Sequence, residues 1–199
     1  MNLLEQLRAV APNRRLTMAE ACIVAERQAT LLLKLRDVDG PAVHTNLIAD
    51  LPFIHVAARV GMASSGAAKW VKPRWIVLLN ALEPVTRQKF SLAHELKHII
   101  DHPRARHLPP TSHPQAHYET ELLCDYFAGC LLMPRMWVKK AYADGIQNPL
   151  HLAQLFQVSP RAMQVRLNQL GLLDTYGRHG EIDNAYLRQP PASLLGQAA

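Results

Sequence analysis

Five consecutive residues, His94-Glu95-Leu96-Lys97-His98, place two imidazoles four positions apart with a carboxylate between them. In an α-helix four residues rise about 6 Å and return to within about 40° of the same face, so both rings can grip one metal ion. The intervening Glu95 then lies beside the ion as a candidate general base. A catalytic zinc site takes three protein ligands and leaves a fourth position for water. Glu119 and Glu121 both stand near the start of a second helical stretch, and one of them is expected to complete the set. Glu121 is favoured, because Asp125 follows one turn later and can accept a hydrogen bond from the second nitrogen of a ligating His. Glu119 has Leu123 at that spacing. The expected centre is therefore one Zn2+ per chain on His94, His98 and Glu121, with Asp125 behind a ligand and Glu95 as the base.

Such a centre suits peptide-bond hydrolysis. Zinc lowers the pKa of water toward 7 and polarises a carbonyl, and Glu95 would move the proton from water to the leaving amine. An oxyanion donor is needed besides the metal. Tyr118, Tyr126 and His117 are candidates that the sequence does not separate. His102 continues the spacing of four but lies about 12 Å along the axis from His94, too far to share the ion. It is expected at the helix C-terminus instead, where positive charge is favoured. A third His of the HExxHxxGxxH kind would fall at position 104, which is Arg104. His107, His113 and His117 read mainly as loop residues.

These residues need a scaffold. Thr17 to Leu35 has apolar positions at helical spacing and ends in the turn chemistry of Asp37 to Pro41. Phe53 to Val60 and Trp75 to Leu79 read as strands, with a turn from Gly61 to Gly66 between them. Thr86 to Asp101 is the helix bearing the two His, and Phe90, Ala93, Leu96 and Ile100 indicate that it is largely buried. Pro103 to Pro114 reads as a loop. Tyr118 to Met133 is a helix stopped by Pro134. Asn148 to Leu173 gives two short helices split at Val158-Ser159-Pro160. The expected class is α+β: a short antiparallel or mixed sheet, the HExxH helix, the third-ligand helix and a small C-terminal helical region. The expected divisions are 1–147 for the catalytic domain, 148–175 for a helix-turn-helix-like region packed on it, and 176–199 for an irregular tail.

A hydrophobic fraction of 49% in 199 residues supports a core of its own. No apolar run approaches the roughly 20 residues of a membrane helix, and the first residues lack a signal-peptide pattern. Three cysteines without a CxxC pair make a disulfide framework unexpected. These features point to a reducing cytoplasm and to no membrane partner. The net charge of +6 admits an acidic partner, but the basic residues are scattered. Arg161 and Arg166 in the C-terminal helices would be the contacts of a DNA-binding helix-turn-helix; a helical hairpin packed on the catalytic domain is the preferred reading.

The stretch Arg87 to His98 (RQKFSLAHELKH) resembles the active-site helix of ImmA/IrrE-family metallopeptidases, close to RxxFtlaHElgH. Glu121 to Pro134 (ELLCDYFAGCLLMP) is similar to that family's ExeAnxFAaxLLMP, and Leu152 to Leu172 to its LAxxFxVSxxAxxxRLxxLGL. The resemblance spans roughly residues 20 to 173. It implies a zincin-like core, metal ligands at His94, His98 and Glu121, and a catalytic base at Glu95. It also implies cytosolic zinc endopeptidases that cleave a helix-turn-helix transcriptional repressor and so derepress mobile-element, phage or stress genes. No repressor-like DNA-binding domain is evident ahead of the catalytic region, so the repressor is expected to be a separate chain. Lys97 replaces the family's usual Gly and is expected to face solvent; Cys124 stands where Ala is frequent, and Asp125 where Asn is. The alternative is a non-catalytic regulatory or antitoxin-like binding protein that retains the fold. Intact ligands together with Glu95 favour the enzyme, because a binder has no use for the base.

Overall fold

The computed structural model describes residues 2–108 and 115–173. Residues 109–114 of the expected loop, His113 among them, residues 174 and 175 of the expected C-terminal region, the tail 176–199 and the side chain of His117 lie outside the described residues.

The fold is α+β, with helices laid against one face of a three-stranded sheet. The chain begins with helix α1 (Leu3–Ala9) and helix α2 (Met18–Leu35). Both start on reciprocal capping boxes, Asn2 with Glu5 and Thr17 with Glu20, which satisfy backbone donors that a helix N-terminus leaves unpaired. A single turn, α3 (Asn46–Ala49), leads into β1 (Ile54–Arg59), β2 (Gly66–Val71) and β3 (Arg74–Asn80). The sheet is mixed, in the order β1-β3-β2. Strand β3 is central, parallel to β1 and antiparallel to β2. Trp75, Val77 and Leu79 alternate along β3 and are buried, whereas Ile76 and Leu78 on the other face are half-exposed. This is the period of two expected of a sheet covered on one side.

Helix α4 (Val85–Asp101) covers that inner face. Leu92, Ala93, Leu96, Ile99 and Ile100 enter the core, and Glu95 and Lys97 are buried beside them. At its C-terminus the unpaired carbonyls of Ile99 and Ile100 accept hydrogen bonds from the Arg8 guanidinium, at 2.9 and 3.0 Å. His102 stands at the C-cap position and packs its ring edge-on against Trp75. A short 3-10 segment, His102–His107, follows where a loop was expected. Helix α5 (Gln115–Leu132) then packs against both α2 and α4 and brings Leu123, Phe127, Ala128 and Leu131 into the same core.

Three further helices close the described chain: α6 (Arg135–Ala143), α7 (Pro149–Phe156) and α8 (Pro160–Gln169). Asn148 and Ser159 cap α7 and α8, each followed by a Pro at the first helical position, where its missing N–H is harmless. The turn between them is made by Gln157 in the left-handed region, φ 53°. Its carbonyl and that of Phe156 accept from the buried Lys89 ammonium of α4, at 3.2 and 3.4 Å, which ties the hairpin to the site-bearing helix.

Two sequence expectations change here. Arg166, considered as a DNA contact, is only 1% exposed; its Nε donates to the Met133 carbonyl at 3.0 Å and its guanidinium lies 3.8 Å from Glu26. Of the pair, only Arg161 faces solvent. Lys97, expected at the surface, is also only 1% exposed. Its ammonium bonds Asp101 at 2.7 Å and Gln28 of α2 at 2.9 Å, over the ring of Phe127. The reason is geometric: α5 packs along α4, and Gln28 of α2, which packs on α5, reaches the side where Lys97 emerges, so the side chain is enclosed rather than solvent-facing.

Candidate metal centre

One turn of α4 separates His94 from His98, and their Nε2 atoms stand 3.1 Å apart. Helix α5 crosses in front of them and presents Glu121, whose two oxygens lie 3.2 Å from His94 Nε2 and 3.3 Å from His98 Nε2. Ligand atoms at about 2.0–2.1 Å from a tetrahedral metal are about 3.3–3.4 Å from one another, and each of these closest approaches is near that separation, the two to Glu121 being made by its two different oxygens. One turn further along α5, Asp125 Oδ1 accepts from His94 Nδ1 at 2.8 Å. With Nδ1 engaged there, the His94 ring turns its other nitrogen, Nε2, toward His98 and Glu121. Two imidazole nitrogens and a carboxylate converging this closely form a donor set that suits a divalent cation.

Charge in the site follows from these contacts. Burial works against a proton on His94, but Asp125 and Glu121 outweigh it and hold the imidazole up to about 9. Burial likewise opposes charge on Glu121, yet His94 and His98 keep its carboxyl well below the usual carboxylate range. Glu95 points the other way. Burial raises its carboxyl, the neighbouring imidazoles work against that, and the Ala68 backbone N–H of β2 donates to it.

Strand β2, which the sequence reading took for the end of a turn and what followed it, is the wall against which Glu95 rests. A methyl group at Gly66 would stand 3.1 Å from Glu95 Oε1 and 3.2 Å from its Cγ. Gly66 is thus there for close approach, a demand visible only once α4 and β2 are docked. A cavity of about 70 Å³ opens in front of these groups, lined by Ser64, Ser65, Arg87, Phe90 and Ser91 as well as His94, Glu95, Glu121 and Asp125. Arg87 is anchored by Ser65 Oγ at 3.1 and 3.2 Å, and Ser65 in turn donates to Glu83 at 2.7 Å.

The remaining candidates fall elsewhere. Cys124 lies with the two imidazoles in a group whose ligand atoms are all within 4.8 Å of one another, so a second donor set, His94 with His98 and Cys124, is geometrically open. That thiol is fully buried, and burial pushes it well above the usual thiol range. Glu119 turns Oε2 into the protein without a hydrogen-bond partner among the described residues. Tyr126, five residues from Glu121 and so well round the helix, donates its hydroxyl to Glu26 at 3.2 Å, on the side of α2 rather than in the cavity. Tyr118 is half-buried at the start of α5. Cys22, Cys124 and Cys130 are free thiols.

A histidine-bearing helix beneath a short sheet, faced by a second helix that brings a carboxylate, is the architecture of a metallopeptidase-type domain. The chain belongs to the Peptidase_M78 family, described as the IrrE N-terminal-like domain, whose sequence model matches residues 54–168, more than half of the chain. Among solved structures, a Mycobacterium tuberculosis transcriptional regulator is similar, with a TM-score of 0.50 at 17% identity. The match covers 84% of this chain and 52% of that one, so the chain spans about half the length of the regulator and shares its fold. No curated protein shows significant similarity to the chain. Among the described residues, no helix is long and apolar enough to cross a membrane.

Proposed function

We propose that the protein is a zinc-dependent endopeptidase that hydrolyses a peptide bond in a separate helix-turn-helix transcriptional repressor, relieving repression of mobile-element, phage or stress genes. The observation that carries the reading is the convergence of His94, His98 and Glu121: the two Nε2 atoms are 3.1 Å apart, one Glu121 oxygen is 3.2 Å from the first and the other oxygen 3.3 Å from the second, with the buried Glu95 next to them. Glu121 is preferred to Cys124 as third ligand because its carboxylate oxygens reach both imidazoles, at 3.2 and 3.3 Å, and Asp125 one turn on backs His94. Membership of the Peptidase_M78 family supports the hydrolase, and the motif resemblance of Arg87 to His98 and Glu121 to Pro134 to ImmA/IrrE metallopeptidases, which implies repressor cleavage, supports the substrate.

Zinc, when bound, supplies Lewis acidity for the carbonyl and acidity for water. The chain supplies the rest. Asp125 fixes the His94 tautomer. Glu95, raised by burial, takes a proton from the attacking water and returns it to the departing amine nitrogen as the C–N bond breaks.

The substrate's place follows from the ladder. Asn80 N–H donates to the Ser65 carbonyl at 3.0 Å, so Ser65 and Asn80 face each other as a bonded pair. Bonded and non-bonded pairs alternate in an antiparallel ladder, so the main-chain groups of Gly66, Ala68 and Trp70 point away from β3. The Ala68 N–H reaching Glu95 places that free edge at the site. No strand pairs with it among the described residues. An extended segment of substrate laid along β2 would pass directly over Glu95.

The test is incubation of the zinc-loaded protein with purified helix-turn-helix repressors encoded beside its gene, read by mass spectrometry. One discrete cut, abolished by chelation and by Glu95→Gln, is the expected result. A repressor held but never cut would place the protein with the non-catalytic binders.

A further inference from the structure

Beyond the edge that meets Glu95, β2 ends in a segment the catalytic reading leaves unused. Lys69, Trp70, Val71, Lys72, Pro73 and Arg74 are all exposed. From Gly66 to Leu82 the chain has three cations and no carboxylate. None of Lys69, Lys72 and Arg74 forms an ion pair among the described residues. The pleat puts Lys69 and Val71 on the outer face of the sheet, and Arg74, opposite Val71, shares that face. Trp70 lies on the inner face, 48% exposed, its ring 5.5 Å from that of Trp75. A tight hairpin tip thus carries three cations with no ion pair among the described residues, two of them on the sheet face opposite a half-exposed indole, at the end of the strand edge that leads to the metal centre.

We propose that this tip selects substrates with acidic side chains flanking the scissile bond. The inference rests on the peptidase reading above and names its substrate class: an extended polypeptide with Asp or Glu about three to five residues from the bond that is cut. That spacing follows from the strand. Ala68 contacts Glu95, and Val71 and the turn lie three or more residues on, about 10 Å or more at 3.3 Å per residue. A peptide is the occupant the geometry favours over a nucleic acid, because beyond the Ala68 N–H held by Glu95 the edge turns the Ala68 C=O and the Trp70 N–H and C=O away from β3, groups that another strand complements and a sugar-phosphate backbone does not. The cations then add charge complementarity where the substrate chain leaves the site.

The probes are two fluorescein-labelled extended peptides that differ only in carrying Glu or Gln at those flanking positions. Each is titrated into the Glu95→Gln protein, which binds without cutting. The Glu peptide should bind about tenfold more tightly at low ionic strength, and the preference should shrink as salt screens the exposed charges. Replacing Lys69, Lys72 and Arg74 together by Glu should reverse the preference toward a matching Lys peptide, a gain that misfolding cannot imitate. Equal affinity for the Glu and Gln peptides, or a preference that survives the charge reversal, would overturn the inference. So would a single-stranded oligonucleotide that binds this tip more tightly than the Glu peptide does. Hydrolysis of the same peptides by the wild-type protein is scored separately. Cutting without acidic preference removes the selectivity and keeps the peptidase; acidic preference without cutting does the reverse.

Discussion

Asp125 decides what His94 can offer. Its carboxylate, 2.8 Å from Nδ1, holds the ring in the tautomer whose Nε2 faces His98 and Glu121. Groups behind a metal ligand commonly contribute 10- to 100-fold in affinity, so Asp125→Ala should weaken zinc binding by about that factor in a competition with a chelating dye. Unchanged affinity would mean that the ring is oriented by something else. Gly66→Ala tests the other side of the site. The added methyl, about 3 Å from the Glu95 carboxylate, should displace the base, so kcat should fall severalfold or more while zinc content stays at the wild-type level. Unaltered kcat would show that Glu95 yields without consequence. At this scale the sequence was most readable, because the spacing of four in α4 and of four between Glu121 and Asp125 is imposed by helix geometry itself. Lys97 was misread for the opposite reason: a charged residue in place of Gly suggests solvent, and only the packing of α2 and α5 around it reveals the buried Asp101 and Gln28 partners.

At the scale of elements, Glu26 of α2 joins four helices. Arg135 of α6 grips both of its oxygens at 2.7 and 2.9 Å, Tyr126 of α5 donates to it, and the buried Arg166 of α8 stands 3.8 Å away. Truncation in Glu26→Ala would strand the Arg166 charge, and a loss of about 3 kcal/mol is expected in denaturant unfolding, the scale for breaking a buried pair. A loss below about 1 kcal/mol would mark the network as a surface pairing only. The pair with Arg135 holds Glu26 below its ordinary 4.5 in the folded protein. Its contribution is therefore fully present above that ordinary value and is lost as pH falls through the lower folded value. Between the wild type and Glu26→Gln, the stability difference should be flat above about pH 5 and shrink below about 4.5. This network was hidden in the sequence because its members are separated by up to 140 positions. Strand β2 was hidden because Gly66-Ala67-Ala68 has neither β-branched residues nor alternation. Its identity as a strand comes from pairing with the strongly apolar β3. The long helices were legible from their apolar spacing and from stops such as Pro134, whereas α1 and α6 lacked such a signal.

For the molecule as a whole, one arrangement accounts for both fold and proposed chemistry: a mixed sheet presses α4 against α5, and the candidate metal donors lie where the two helices meet. The C-terminal hairpin belongs to the same arrangement, since Lys89 of α4 ties down the end of α7. The central claim is that this junction holds one zinc ion on His94, His98 and Glu121. Elemental analysis of protein purified without added metal tests it most directly, with Glu121→Ala, Glu119→Ala and Cys124→Ser alongside the wild type. The account predicts about one zinc per chain in the wild type, in Glu119→Ala and in Cys124→Ser, and its loss in Glu121→Ala. Zinc retained without Glu121 but lost without Cys124 would contradict the assigned ligand set. A wild-type chain that neither carries zinc nor binds it tightly when supplied would contradict the account itself.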